Sequence, residues 1–151
     1  MNFIKDRELA LRFKNNTVPS NERFIYFFIF IILAMLVSSP SINHILNPNE
    51  LNEWDRRIDI FMWVLTILGT ISCYRTNQSG DGKEFIDRYI GIAFPITIQY
   101  ILLMVPSMIV ISIIRRHEII YETSVYEFLV LIILTGYFYG RLNSSIRIAS
   151  Q

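Results

Sequence analysis

The stretch YIGIAFPITIQYILLMVPSMIVISII, residues 89–114, contains no charged side chain and is the longest apolar run in the chain. At a rise of about 1.5 Å per residue, a helix of this length crosses a hydrocarbon layer about 30 Å thick. Shorter apolar runs lie on both sides of it, separated by polar stretches that hold nearly all the charge. We therefore predict four membrane-spanning helices, at about residues 24–39, 58–74, 89–114 and 124–141.

Composition supports a membrane protein. Of the 151 residues, 52% are hydrophobic and 18% are charged, and the mean hydropathy is +0.39. An ordinary soluble domain carries about 25% charged residues. Four apolar helices without a polar stripe would leave a soluble protein no face to present to water. We expect an all-α fold, with residues 1–151 forming a single polytopic membrane domain: an integral membrane four-helix bundle with short loops.

Lys and Arg residues are distributed unevenly over the polar segments. Ten lie in the N-terminal segment, in the loop between the second and third predicted spans, and in the tail; the other two loops hold four. Because basic residues concentrate on the cytoplasmic side, we predict an N-in/C-in topology with residues 1–22 as a cytoplasmic segment. A helical bundle suits a bacterial inner membrane. The alternative for the first run is a signal peptide ending near Ser38 and Ser39, against which the long leader argues.

The N-terminal segment mixes basic residues with apolar ones. The apolar residues Phe3, Ile4, Leu9, Leu11 and Phe13 do not form a clean helical stripe. Contact with anionic lipid is one interpretation. We prefer the alternative, in which the basic residues set the topology and the segment forms some local helix.

Side-chain sets for catalysis or for a cofactor are missing from the sequence. Cys73 is the single cysteine, and His44 and His117 lie outside the predicted spans, so neither a thiolate cluster nor paired haem ligands can form in the membrane. The chain also lacks a phosphate-binding loop motif and a Ser, His and Asp set at membrane depth. We expect no enzymatic activity, no cofactor and no metal site. A net charge of +1 predicts no nucleic-acid partner.

Charged residues lie at the outer ends of two predicted spans. Asp59 is one residue into the second span, and Glu127 is close to the start of the fourth. Because charge in hydrocarbon is costly, such residues are candidates for a cation or proton site. The alternative is an ion-paired outer rim that also includes Arg115, Arg116 and His117.

The second and third predicted spans each carry a face of small or polar residues at helical spacing. We expect these two faces to pack on each other, with a kinked third span against the small face of the second. The alternative is a polar pathway between them. The residues concerned are Asp59, Thr66, Gly69 and Thr70 in the second span, and Pro95, Gln99 and Pro106 in the third.

The fourth predicted span ends in GYFYG, where Gly136 and Gly140 form a GxxxG pair. In an apolar helix this spacing indicates a helix-contact face. Together with the missing catalytic set, it predicts a non-enzymatic protein that acts through helix contacts, as a self-associating or accessory subunit of a membrane complex. The expected partners are the lipid bilayer and another membrane protein or a second copy. The alternative function is a small transporter or channel for an ion or small solute.

Overall fold

The computed structural model describes residues 4–19, 21–23, 25–26, 29–30, 52–116 and 122–151. Within these ranges the regular structure is helical, with no strand. The helices are α1 (Asp6–Lys14), α2 (Glu53–Gln78), α3 (Phe85–Ile114) and α4 (Val125–Ala149). Helices α2, α3 and α4 are long and apolar enough to cross a membrane, in agreement with three of the four predicted spans. The first predicted span, residues 24–39, lies largely outside the described residues, so the four-helix bundle stays a prediction.

Polar side chains fix where two of the long helices begin. Before α2, the Asn52 side chain accepts hydrogen bonds from the Trp54 and Asp55 amides, and the Asp55 carboxylate accepts one from the Asn52 amide at 2.9 Å. Before α4, Ser124 and Glu127 form the same reciprocal arrangement. These capping boxes satisfy backbone N–H groups that have no partner within the helix.

A tight turn joins α2 to α3. Gly82 has φ +66°, a left-handed conformation that glycine adopts without steric cost. Arg88, 4% exposed, donates to Asp81 Oδ2 at 2.6 Å and to Asn77 Oδ1 at 3.1 Å. The hydrogen bond from Arg88 lowers the pKa of Asp81 to about 2. The Asp81 amide also donates to the Ser150 carbonyl at 2.8 Å, so the turn holds the ends of α2, α3 and α4 together. We call this end of the molecule the inner end.

Helix α4 lies between the other two long helices and packs along both, whereas α2 and α3 make few contacts with each other. A Cβ atom added to Gly69 would lie 2.3 Å from the ring of Tyr139, which shows how closely α2 approaches α4. The expectation that the small face of α2 packs on α3 is therefore wrong for Gly69, which packs on α4. The physical reason is that the ring of Tyr139 occupies the space that Gly69 leaves.

Helix α1 packs against α3 and α4 near the inner end. Its buried face consists of Asp6, Leu9, Ala10 and Phe13, spaced as i, i+3, i+4 and i+7. A helix of nine residues is unstable alone, and burial of a Leu or Phe side chain contributes about 1.5–3 kcal/mol. The apolar residues alone form no clean stripe, as expected, because Ile4 and Leu11 are exposed and the charged Asp6 completes the buried face.

The buried core lies at the inner end, and apolar side chains nearer the outer end are exposed. Residues 91–96 of α3 are all buried, whereas most residues of its outer half are exposed. Exposed apolar side chains are costly in water and favourable in lipid. The distribution is that of a helical membrane protein whose inner end is closed by α1.

Candidate functional site

The least exposed charged residue among those described is Asp6, at the start of α1, with 2% of its surface exposed. From α4, Arg141 Nη2 donates to Oδ1 at 2.6 Å and the Ser145 hydroxyl donates to Oδ2 at 2.6 Å. From α3, Gln99 Nε2 lies 3.3 Å from Oδ1. One carboxylate therefore connects α1, α3 and α4.

The side-chain amide of Gln99 is bonded at both ends within the protein. Besides its bond to the carboxylate, Nε2 donates to the Ile4 carbonyl, and Oε1 accepts from the Tyr137 hydroxyl at 3.2 Å. Pro95, predicted to share its polar stripe, is buried, and Pro106 is exposed in the outer half of α3. The structure therefore places Gln99 against α1 and does not bring these three residues together in one cavity.

The pKa of Asp6 lies below its ordinary value, although its burial acts in the opposite direction. Burial raises the pKa because the charged form loses hydration, but hydrogen bonds from Ser145 and Gln99 and the positive charge of Arg141 together lower it by more. The carboxylate is therefore ionised at neutral pH. It forms an ion pair with Arg141.

A second ion pair holds the segment that follows α1. Arg12 donates to both carboxylate oxygens of Glu22, each at 2.7 Å, and the Tyr26 hydroxyl donates to Glu22 Oε1 at 2.7 Å. The hydrogen bonds from Arg12 lower the pKa of Glu22 to about 2. Arg23 forms an ion pair with Glu84 at 3.2 Å, which ties the same segment to the start of α3.

The charged residues predicted for the outer rim do not converge on one site. Glu127 Oε1 accepts from Arg115 Nη1 at 2.8 Å, and Arg115 is 7% exposed. Asp59 is exposed on α2 and forms no hydrogen bond or ion pair with a described residue. Arg116 is exposed, and His117 lies outside the described residues. The arrangement supports the ion-paired rim for Glu127.

A cavity of about 260 Å³ lies between α2 and α3, with α4 as its floor. We call it the hydroxyl cleft, because five of its seven lining residues carry a hydroxyl group. Of the small face predicted on α2, Thr66 lines this cleft, and the Thr70 hydroxyl lies 3.3 Å from that of Tyr89 on α3. The lining residues are Met62, Thr66, Thr97, Tyr100, Thr135, Phe138 and Tyr139.

The glycines of the GxxxG pair lie on a different side of α4 from its internal contacts. Gly136 and Gly140 are exposed, and a Cβ atom added to either would meet no described atom within 4 Å. Ser144, one turn further, is also exposed. These three residues form what we call the small-residue face of α4.

Comparisons with known proteins identify no relative. The chain matches no protein family model, no curated protein and no solved structure. Among the described residues, no three His, Cys, Asp or Glu side chains come together as metal ligands do. Function must therefore be inferred from the physical chemistry of the cleft, the ion pairs and the small-residue face.

Sequence reasoning missed Asp6, Arg141 and Tyr139 as parts of the site. The residues of the buried face of α1 follow the i, i+3, i+4, i+7 spacing of one helix face. This spacing would have identified Asp6 if charged residues had been counted as members of the face. Arg141 and Tyr139 lie at the end of the fourth predicted span, where Arg and Tyr side chains usually face the membrane surface. No local pattern marks them as contacts of α1 and α2.

We predict that Asp6→Asn loosens α1. The substitution leaves Arg141 without its charged partner; because Arg141 is 30% exposed and recovers some hydration, we expect a cost of about 2–3 kcal/mol. Amide hydrogen exchange in α1 should become about 30-fold to 150-fold faster. The matched control is Glu8→Gln, an acid-to-amide change on the exposed side of α1. Equal exchange rates in the two variants would contradict the assignment.

The Glu22 ion pair predicts loss of stability in acid. Its pKa is about 2 in the folded protein against an ordinary 4.5, so the stabilisation, on the order of 3 kcal/mol, is present above about pH 4.5 and lost as the pH falls toward 2. Thermal unfolding in nonionic detergent, followed by circular dichroism between pH 5 and 3, should show a steeper fall for the wild type than for Glu22→Gln. Parallel profiles would count against this ion pair as a source of stability.

Proposed function

We propose that this chain is a non-enzymatic multi-pass protein of the bacterial inner membrane that acts through helix–helix contacts. It serves as a self-associating or accessory subunit of a membrane complex, and it uses the small-residue face of α4. The observation that carries this proposal is that no described residue packs over Gly136 and Gly140.

Glycines in the long helices fall into two classes. Gly69 and Gly91 are each covered by an aromatic ring from another helix. The space left by their missing side chains is therefore filled within the protein. Gly136 and Gly140 have no such contact with a described residue. This difference supports a role for the second pair outside the protomer.

The energetics of glycine support the same interpretation. A glycine inside a helix costs about 1 kcal/mol relative to alanine, and two on an exposed face gain nothing back within the described structure. In lipid, small residues four apart let two helix backbones approach closely and pack. A second copy is the partner we favour, because one glycine face can pack on the same face of a symmetry mate. The exposed side chains of Ile133 and Tyr137 flank the glycines and add contact area.

The proposed orientation places the inner end in the cytoplasm. It rests on the excess of Lys and Arg in the N-terminal segment, the α2–α3 turn and the tail. Helix α1 would then lie on the cytoplasmic side, where its remaining charged residues contact water and lipid headgroups.

We predict that Gly136→Ile combined with Gly140→Ile weakens association at least about tenfold, or about 1.4 kcal/mol. The new side chains would hold the two backbones apart without a clash with any described residue of the protomer. Light scattering in mild detergent and energy transfer between labelled copies in vesicles measure the association. Co-purification of a different membrane protein, lost in the same variant, would support the accessory role.

The control for this experiment is Ser112→Leu, which enlarges an exposed small residue on α3. It should leave association unchanged within about twofold, because its face carries no small-residue pattern. All variants should keep the helical circular dichroism signal of the wild type. A wild type that is monomeric without a partner, or a glycine variant that associates normally, would overturn the proposal.

A second candidate function is a small transporter or channel for an ion or small solute. The hydroxyl cleft favours it, since hydroxyl groups between membrane helices can replace water around a solute. The position of Gln99 argues against a transport function, because both ends of its side-chain amide form hydrogen bonds within the protein. Flux of ions and small neutral solutes into proteoliposomes tests this function, and Thr66→Leu, which fills the cleft, should abolish it. Absence of flux for all solutes would rule it out.

A further inference from the structure

The hydroxyl cleft has the character of a binding site for a neutral molecule. Its described lining contains no charged side chain, so a charged ligand would lose its hydration without a counter-charge. Its volume of about 260 Å³ lies just below the range of about 300–1,000 Å³ found for drug-sized ligands. The space fits a small ring system and not a whole lipid.

Thr135 is the polar group that points to a ligand. It is 4% exposed, and its hydroxyl donates to the thioether sulfur of Met62 at 3.3 Å. The Tyr100 hydroxyl interacts with the same side chain, and because sulfur in a thioether is a weak acceptor, the bond that Thr135 itself donates is a weak one. A stronger acceptor placed in the cleft would improve its hydrogen bonding.

Other hydroxyl groups in the membrane helices behave differently. Those of Thr97, Ser107 and Ser112 each donate to the backbone carbonyl one turn earlier, at 2.8–2.9 Å. That local bond is the usual way for a Ser or Thr in an apolar helix to satisfy its donor. The Thr135 hydroxyl does not make this local backbone bond and faces the cleft instead. At the cleft's edge, Thr66 is exposed and makes no hydrogen bond with a described residue, so a second hydroxyl is available to a ligand.

Aromatic rings form much of the wall on the α3 and α4 sides. The centroid of the Phe138 ring lies 6.3 Å from that of Tyr100 and 5.2 Å from that of Tyr139. Both ring pairs are nearly edge to face. Aromatic walls favour flat rings over flexible chains, because a ring can stack or pack edge to face with them. Among the described residues, the few contacts between α2 and α3 leave the cleft open at its side.

We propose that the hydroxyl cleft binds a neutral, lipid-soluble ring compound that carries a carbonyl oxygen, as quinones and ring ketones do. The carbonyl oxygen accepts a hydrogen bond from the Thr135 hydroxyl, which exchanges its sulfur acceptor for oxygen. The ring lies against Phe138 and Tyr139. This site is separate from the small-residue face of α4 and does not depend on self-association.

Two probes of similar shape test the proposal: methylnaphthoquinone, which has two carbonyl groups, and methylnaphthalene, which has none. Equilibrium dialysis against the full-length protein in nanodiscs, corrected with empty nanodiscs, gives the dissociation constants. Methylnaphthoquinone should bind saturably and about tenfold more tightly than methylnaphthalene. Thr135→Val, which keeps the side-chain shape, should remove that difference and leave methylnaphthalene binding unchanged.

Thr97→Val is the matched control, since its hydroxyl lines the same cleft but is already bonded to Ala93. It should retain the preference for methylnaphthoquinone within about twofold. Thr66→Leu, at an exposed position that tolerates a larger side chain, should weaken both probes by filling the cleft. Absence of saturable binding, equal affinity for the two probes in the wild type, or a preference that survives in Thr135→Val would each overturn the proposal.

Discussion

The close packing of α4 against α2 determines much of the described structure. Where Gly69 lacks a side chain, the ring of Tyr139 fills the space, and the two helices approach closely along this line. With α4 between them, α2 and α3 have few contacts of their own, and the space left over is the hydroxyl cleft. Since lipid supplies no hydrophobic force between helices, such shape-matched contacts are what associates them.

Ion pairs dominate the inner end for a related reason. A charge that leaves water in this region must meet an opposite charge or hydrogen-bond donors, or it destabilises the fold. Asp6 meets Arg141 and Ser145, and Glu22 meets Arg12. Their lowered pKa values are the electrostatic measure of that pairing. Helix α1 is therefore held in place by the ion pair of Asp6 and, one turn later, by the burial of apolar side chains.

Helix α4 contributes to three different surfaces. One side contacts α2 and contributes the floor of the cleft, another contributes the partners of Asp6, and the small-residue face remains exposed. The proposed self-association and the proposed ligand site use different sides of this helix. Substitutions can therefore disrupt self-association without disrupting ligand binding, and the reverse.

Local patterns predicted the helical class and four apolar spans, of which the three that lie within the described residues are confirmed as long helices, and they also marked the small face of α2. Those features depend on hydropathy and on a 3.6-residue period, both of which a linear sequence displays. The partner of Gly69 could not be predicted, because any large side chain on either neighbouring helix could have filled that space. Gln99 was correctly seen as an unusual polar group in an apolar helix, but its bond to α1 depends on where a distant segment docks.

By itself, the sequence determined that the chain has helices long and apolar enough to cross a membrane, and that its Lys and Arg residues concentrate in alternate polar segments. These are one-dimensional properties, set by the transfer free energy of each residue. Only the tertiary structure decided that Asp6 is buried, that Tyr139 covers Gly69 and that Thr135 faces a cleft. The reason is that hydrogen bonds, ion pairs and close packing depend on distances of a few ångströms between residues far apart in the chain.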